Sequence, residues 1–471
     1  MRTTLTAALA AVLCFAPSAD AANDAALAEI RAQVKQMKES YEQRIAALES
    51  RLADAEKTAA KAEATAVQVA TAPPRAAPAA AMSAFNPEIS VILQGQYKNM
   101  KDIPERGITG FWPANGHSHG DDHSAEQRGF SIDHSELVFT AGIDPYWRGN
   151  LTLGIQDNEV EVEEAWFQSL AIGHGLGLKG GRFRSGIGYL NDKHPHAWDF
   201  ADAPLMYQVL FGSHASYTQD GAQLKWVAPS KLFVEIGLEA GRGSTYPGTD
   251  ENANGANAGA AYVKFGGDVG VANSWLAGLS YLQTSAKDRE AEFEDVNGLA
   301  AQGLFDGTTK TWIADFVWKW APDGNPSDRN FKLQGEYFRR TEKGELDCLD
   351  EEGVGNACDP AMSGATVLSN YDTRQSGWYL QGVYQFTPNW RAGLRYDRLD
   401  SGRRDFGVNE NNLLVADYRP QRATVMADYS WSEFARMRLQ YAQDRSMQGV
   451  TDNQVTLQYI MSMGSHGAHK F

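Results

Sequence analysis

Several features are scarce in this 471-residue sequence, and each absence excludes a class of protein. No apolar run after residue 20 approaches the roughly 18 residues that a membrane-spanning helix needs, and the mean hydropathy is −0.43. A helical membrane protein is therefore excluded. Basic residues are outnumbered, with 43 Lys and Arg against 59 Asp and Glu, and the net charge of −16 argues against nucleic-acid binding.

Motifs for catalysis are also scarce. The sequence has no phosphate-binding P-loop and no His-Glu-x-x-His zinc-protease motif. We therefore predict no catalytic residues, no required cofactor and no enzyme activity.

Cysteine is rare, and the first of the three cysteines lies in a targeting segment. Met1 and Arg2 precede an apolar stretch, and the small residues of 19–21 follow it, as in a secretory signal peptide. The alternative is a short buried helix. We expect residues 1–21, including Cys14, to be removed on export.

The two other cysteines, Cys348 and Cys358, stand in an acidic, glycine-containing segment. Because exported proteins fold in oxidising compartments, we predict a disulfide between them that staples a surface loop. No further Cys or His lies nearby to complete a zinc site.

Residues 22–65 carry an apolar seam at helical spacing. Its members are Leu27, Ile30, Val34, Met37, Tyr41, Ile45, Leu48, Leu52, Ala55, Ala59 and Ala62. Spacings of three and four residues, with one stutter between Tyr41 and Ile45, predict a coiled-coil stalk that associates with itself. A solvated single helix is the alternative. An Ala/Pro-rich linker follows at 66–86, before the body at 87–471.

The body alternates apolar and polar residues with period two, as in Leu151, Leu153 and Ile155. Long apolar faces whose opposite faces carry charge are typical of strands between lipid and a wet lumen. The connections alternate between short turns, at 144–149, 321–328, 387–390 and 430–433, and long loops, at 99–128, 286–308, 342–372 and 400–416.

Aromatic residues at or beside the short turns, such as Trp147 and Trp390, are typical of the girdle of a membrane barrel. We therefore predict an all-β transmembrane barrel of about 16 antiparallel strands in the outer membrane of a Gram-negative bacterium, with the α-helical coiled-coil stalk in the periplasm. A soluble β-sandwich is the alternative, but it does not explain why the signal peptide and the aromatic girdle occur together.

The segment VEEAWFQS (162–169) followed by Gly181-Arg182-Phe183-Arg184 resembles the phosphate-selective porin family of outer membranes. Three further segments, 85–95, 129–145 and 458–471, are similar to a subgroup described as zinc-regulated outer-membrane proteins. The resemblance implies a porin whose loop after Arg184 folds into the barrel. It also implies that Phe471 is the terminal aromatic signal read by the barrel-assembly machinery.

Charged residues near the predicted constriction do not match a phosphate channel. The inward loop 186–212 supplies the predicted constriction residues Asp192, Lys193, His194, His196, Asp199 and Asp202. The predicted lumen cations are Arg182, Arg184, Arg391, Arg395, Arg436 and Arg438, opposed by Glu235, Glu239, Asp315, Glu336 and Asp397. With Lys193 as the only fixed cation facing the loop acids, we expect a mild cation preference at neutral pH.

The densest group of metal-ligand residues is His117, His119, Asp121, Asp122 and His123, in the first long loop. Imidazoles and carboxylates this close together would bind Zn²⁺ weakly and reversibly, although they also suit a solvated loop.

The sequence thus favours an outer-membrane channel for passive diffusion of small hydrophilic solutes or ions. The expected partners are membrane lipid, the permeant solutes, further copies of the chain (a trimer, by analogy with porins) and the assembly machinery, but no nucleic acid. The alternatives are a zinc-related binding or uptake protein, an envelope tether that contacts the periplasm or cell wall through the stalk, and a barrel enzyme of the phospholipase or protease kind.

Overall fold

The computed structural model describes residues 87–103, 106–111, 128–156, 159–212, 215–349, 355–358, 368–415 and 417–464. The predicted signal peptide, stalk and linker (1–86), the metal-binding loop 117–123 and Phe471 lie outside these residues and stay predictions. Within the described residues, no helix is long and apolar enough to cross a membrane.

Strands account for most of the described chain. They are β1 (Glu88–Asn99), β2 (Gly129–Ile132), β3 (Ser135–Gly142), β4 (Trp147–Gln156), β5 (Glu159–Ser169), β6 (Leu176–Arg184), β7 (Thr218–Val227), β8 (Phe233–Gly241), β9 (Ala258–Val269), β10 (Asn273–Glu294), β11 (Ala300–Trp320), β12 (Asn330–Leu349), β13 (Ser369–Gln385), β14 (Trp390–Asp405), β15 (Gln421–Ser432), β16 (Ala435–Arg445) and β17 (Asp452–Gly464). One α-helix, α1 (Leu205–Phe211), and three short 3₁₀ turns, Pro195–Ala197, Pro322–Gly324 and Gly407–Asn411, complete the described elements.

The sheet closes on itself. Strands adjacent in sequence pair antiparallel, and β1 pairs with β17, so no edge strand is left open. β2 and β3 pair with β1 one after the other and therefore form a single interrupted strand. The prediction of an antiparallel barrel of about 16 strands is confirmed.

Alternation along the strands gives the barrel two different faces. On β7, Leu224 and Trp226 at even-numbered positions are exposed, whereas Gln219 and Gln223 at odd-numbered positions are buried. Since successive side chains of a strand point to opposite faces, the apolar residues lie outside and the polar residues inside. The apolar side of the period-two pattern therefore faces outward and the polar side faces the lumen, as predicted.

Connections at one end of the barrel are short, as predicted: they are 143–146, 170–175, 228–232, 270–272, 321–329, 386–389 and 433–434. At the other end, the prediction of a long loop over 286–308 is wrong. β10 and β11 continue through most of it to a turn at 295–299. Phe293 and Phe305 are buried in these extensions, and burial of their rings stabilises the longer hairpin.

The extended strands enclose an apolar cluster that contains the disulfide. Cys348 and Cys358 are bonded, with their Cα atoms 5.4 Å apart, and both are fully buried beside Tyr371 and Phe406. The predicted disulfide is confirmed. The expectation of a disulfide at the surface is corrected, because both cysteines are buried in this apolar cluster.

Candidate functional site

The loop between β6 and β7, 185–217, lies inside the barrel. Its helix α1 is buried almost completely, and the helix packs against Ile313, Phe338 and Leu399 on the inner wall. The ring of Tyr207 meets that of Phe338 at a centroid distance of 5.2 Å. The loop therefore occupies part of the lumen instead of extending into solvent.

Carboxylates on the barrel wall hold the backbone of this loop. Glu336 accepts hydrogen bonds from the N–H groups of Tyr189 and Leu190, both at 3.1 Å. Glu239 accepts from the Gly186 N–H at 2.9 Å. Gly188 lies between these contacts and has a φ of +62°. A Cβ at this position would lie 2.5 Å from a carboxylate oxygen of Glu336. Glycine is required there because only it combines that backbone conformation with that approach.

Arginines on the wall hold the opposite side of the loop through its carbonyl oxygens. Arg436 donates to the carbonyl of His196 at 2.7 Å, and Arg438 donates to that of Trp198 at 2.9 Å. Arg395 donates to the carbonyl of Asp202 at 2.7 Å. The arginines predicted to line the lumen therefore position the loop.

The two loop acids expected to attract cations are already neutralised. Asp199 pairs with Lys332 and with Arg391, the latter at 3.2 Å. Asp202 pairs with Arg395 at 2.9 Å and with Arg422 at 2.8 Å. The expectation that Lys193 is the only cation facing them is wrong, because cations on distant strands reach the loop once it folds inward.

Burial would raise the pKa of both loop carboxyls, but the neighbouring cations reverse that effect. Lys332 and Arg391 hold the pKa of Asp199 well below its usual value. Arg395 and Arg422 do the same for the pKa of Asp202. Both carboxylates are therefore ionised, and paired, throughout the neutral pH range.

The space that the loop leaves open is a cavity of about 1240 Å³ towards the short-turn end. Its charged lining comprises Lys179, Lys193, Lys225, Lys264, Lys319, Lys332, Arg148, Arg184, Arg391 and Arg436, against Glu88, Glu136, Glu164, Asp192, Glu235 and Asp268, and it also includes His194 and His196. Cations outnumber carboxylates in this lining.

Three lysines, Lys193, Lys319 and Lys332, form a lysine cluster beside the loop. Lys319 and Lys332 are direct cross-strand partners in the β11–β12 pair and share the inward face. The Lys193 ammonium lies 4.3 Å from the centroid of the Tyr189 ring, and that of Lys332 lies 6.0 Å from it. Like charges directly opposite each other destabilise a sheet, and here the pairing of Lys332 with Asp199 of the loop offsets part of that cost.

Arg182 is the one predicted lumen arginine that the structure places elsewhere. It pairs with Asp220 across β6 and β7, at 2.7 Å, on the same face as Leu224 and Trp226. Because paired residues of neighbouring strands share a face, Arg182 lies on the outer face of the barrel. Arg184, two residues on, instead turns into the lumen and contacts Glu163 at 2.8 Å.

Four polar residues of the wall meet the loop, and sequence reasoning did not bring them together with it: His134, Glu136, Glu163 and Glu164. His194 lies between them, with Nδ1 3.2 Å from Glu136 and Nε2 3.2 Å from Glu164. The local signal was a break in period two, with consecutive polar residues at 133–136 and consecutive acids at 163–164.

Comparisons with known proteins give distant similarities. No family model matches the chain. A protein of Aquifex aeolicus described as uncharacterized is 29% identical over 418 residues, which is 83% of this chain and 81% of that protein.

Similar solved structures are outer-membrane proteins. OmpT of Vibrio cholerae, in a form lacking loop L8, aligns with a TM-score of 0.47 and 12% identity over 80% of this chain and 99% of its own. OprB of Pseudomonas putida gives 0.46 and 13% over 80% and 94%, and an anion-selective porin from Comamonas acidovorans gives 0.45 and 10% over 80% and 99%. Since these TM-scores lie below 0.5, the fold assignment rests on the strand pairing of the chain itself.

Proposed function

We propose that this protein is an outer-membrane channel for passive diffusion of small hydrophilic solutes, with a preference for small anions. The observation that carries the proposal is the lining of the cavity inside the closed barrel, where ten cations, the lysine cluster among them, stand against six carboxylates. A fixed excess of cations at a constriction lowers the energy of an anion there more than anywhere else along the path.

The loop 185–217 supports this function because it narrows the lumen without needing to move. Acids of the wall hold its N–H groups, and arginines of the wall hold its carbonyl groups. A fixed constriction suits diffusion down a gradient, which requires neither an energy source nor a cofactor.

The finer parts of the proposal follow from the sequence resemblance. They are a Gram-negative outer membrane as the location, a homotrimer as the assembly, and the terminal Phe471 as the assembly signal. Membership of the phosphate-selective porin family agrees with the cationic lining, and the periplasmic stalk would contact the envelope. The lysine cluster does not favour the zinc-related alternative, because fixed cations repel Zn²⁺.

Reconstitution of the full chain in a planar bilayer tests the proposal. We expect discrete conductance steps and, in a potassium chloride gradient at pH 7.5, a reversal potential with the sign of anion preference. Absence of conductance from correctly folded protein would overturn the channel function. Conductance with cation preference would keep the channel and overturn the anion preference.

A further inference from the structure

Two imidazoles and two carboxylates converge where the inward loop meets the barrel wall. His134, Glu136, Glu163 and His194 each offer one ligand atom, and these four atoms all lie within 4.8 Å of one another. His134 and Glu136 come from the interrupted strand β2–β3, Glu163 comes from β5, and His194 comes from the loop. We call these four residues the wall cluster.

Two β-bulges bring the wall cluster together. On the interrupted strand, Ile132 pairs with Gly95 but Glu136 pairs with Ile92, so one extra residue stands opposite β1 beside His134. On β5, the pairing passes from Val162 to Glu164 between consecutive residues of β4, so Glu163 is itself the extra residue. Bulges re-aim side chains, and they are over-represented next to functional sites.

Several donor-atom distances in the wall cluster are close to those between the ligands of a small metal ion. Nδ1 of His194 lies 3.2 Å from Oε2 of Glu136 and 3.3 Å from Oε2 of Glu163, and Nε2 of His134 lies 3.4 Å from Oε1 of Glu136. Ligand atoms about 2.0–2.1 Å from a tetrahedrally coordinated zinc ion are roughly 3.3 Å apart. The His134–Glu163 contact, at 2.5 Å, is the one that must lengthen.

The ligand atoms are buried and lack hydrogen bonds of good geometry. This is true of His134 Nε2, Glu136 Oε2, Glu163 Oε1 and His194 Nδ1 among the described residues. Glu136 is 1% exposed and His134 is 9% exposed. Buried polar atoms normally have a hydrogen-bond partner, but these four contact one another instead, as in the His134–Glu163 and His194–Glu136 pairs. Their convergence on one point is the arrangement that a bound cation would satisfy.

A second set of contacts orients the wall cluster. Glu164 lies 3.2 Å from Nε2 of His194, the nitrogen opposite the ligand atom, as the outer carboxylates of metal sites do. Arg184 contacts Glu163 at 2.8 Å, and His196 contacts Glu136 at 3.0 Å. With the imidazoles neutral, as metal ligands are, three carboxylates against one arginine leave an excess of two negative charges, which a single divalent cation neutralises.

We propose that the wall cluster binds one divalent transition-metal ion, and its mixed nitrogen and oxygen donors suit Zn²⁺. Because His194 belongs to the loop and the other three ligands belong to the wall, the metal would link the loop to the barrel. This site uses none of the residues of the predicted loop site at 117–123 and does not depend on the channel being anion-selective.

Metal titration of the full-length barrel in detergent, after removal of metal with a chelator, tests the proposal. We expect one Zn²⁺ per chain by calorimetry, and visible absorption bands of tetrahedral cobalt when Co²⁺ is used instead. The double variant His134→Ala, His194→Ala should lose the stoichiometric site and the cobalt spectrum. Glu164→Gln should retain it with affinity lower by on the order of 10–100-fold.

The matched control replaces His117, His119 and His123 by Ala, which removes the other candidate site. It should bind one ion with unchanged cobalt bands. Loss of binding in this control would place the metal in the first loop, and binding that survives in the wall variant would do the same. No stoichiometric binding to the original protein would mean that the wall cluster is a network of His–Glu ion pairs only. Retained resistance of the barrel to unfolding in detergent shows that each variant has folded, and conductance, measured separately, tests the channel function.

Discussion

The carboxylate of Asp397 accepts a hydrogen bond from the backbone N–H of Leu205, the first residue of α1, at 3.0 Å. Pro204, which precedes the helix, makes no side-chain cap, so a residue of β14 provides the cap from the barrel wall. Asp397 also pairs with Arg395 at 2.9 Å. One wall carboxylate thus fixes the start of the helix and orients an arginine that holds the loop elsewhere.

Replacing Asp397 by Ala should loosen the loop without unfolding the barrel. The change removes a buried ion pair as well as the cap, a loss of about 3–5 kcal/mol in loop anchoring. Amide hydrogen exchange over Leu205–Phe211 should accelerate, while exchange in β14 and β15 should not change. Asp397→Asn keeps an acceptor oxygen for Leu205 and should show a smaller effect. Equal exchange in all three proteins would mean that packing alone holds α1.

Acid should release the loop only below the usual range of aspartate titration. The folded-state pKa values of Asp199 and Asp202 are lowered, so their contribution to stability is complete above about pH 3.9 and is lost as pH falls towards the folded values. Hydrogen exchange over 198–204, corrected for its intrinsic pH dependence, should be constant from pH 7.5 to pH 5 and rise below pH 4. The double variant Asp199→Asn, Asp202→Asn should exchange fast at every pH. A transition near pH 6 in the original protein would contradict this assignment.

Removing one inward lysine should reduce anion preference. Lys319→Gln takes a charge from the lysine cluster, and the reversal potential in a salt gradient should move towards zero. Lys310 stands on the same strand but on its outward face, where it is exposed. Lys310→Gln removes the same charge and should leave the reversal potential unchanged. An equal shift in both variants would show that overall charge, not the lysine cluster, sets the preference.

Breaking the disulfide should affect the extended end of the barrel only. Cys348→Ser opens a closure of ten residues in sequence and should cost on the order of 2–3 kcal/mol of local stability. Limited proteolysis should then cut between residues 350 and 368, whereas the barrel keeps its resistance to unfolding in detergent. Peptide mapping of the unreduced protein should recover Cys348 and Cys358 linked, and two free thiols would refute the bond in the native protein.

The predicted stalk can be tested as a peptide of residues 22–66. It should be helical, and its helicity should rise with concentration as the seam associates. Placing Asp at Val34 and Leu48 should abolish association by burying charge on the seam. A peptide that is helical but monomeric at high concentration would mean that the segment is a single helix.

Local patterns in the sequence were enough to predict the barrel. Period two assigned the faces of β7 correctly, and the short turns identified one end. The same rule misplaced Arg182, because its inward or outward orientation depends on the register of β6 with β7. Loop boundaries at the other end were missed because burial of Phe293 and Phe305 extends strands past their turn-like sequence.

The chemistry of the site depends on contacts between residues far apart in sequence. Asp199 is neutralised by Lys332 and Arg391, more than 130 residues away along the chain. No local pattern reveals such a pairing. The prediction of a cation preference therefore identified the inward loop correctly but left out the wall cations that neutralise its acids. The wall cluster was missed for a related reason: a bulge shifts alternation by one residue, and it is visible only once the strands are paired.

Unequal strand lengths give the barrel an uneven rim. Strands β5 to β8 have 9 to 11 residues, whereas β10 to β13 have 17 to 22. At about 3.3 Å per residue, the first group is roughly 30–36 Å long and the second roughly 56–73 Å. Nine to eleven residues suffice to cross a bilayer, so in the proposed outer-membrane location the longer strands would extend well beyond the membrane surface. The strand wall beside β10–β13 is therefore higher than that beside β5–β8, and a solute arriving along the membrane from that direction would meet protein first.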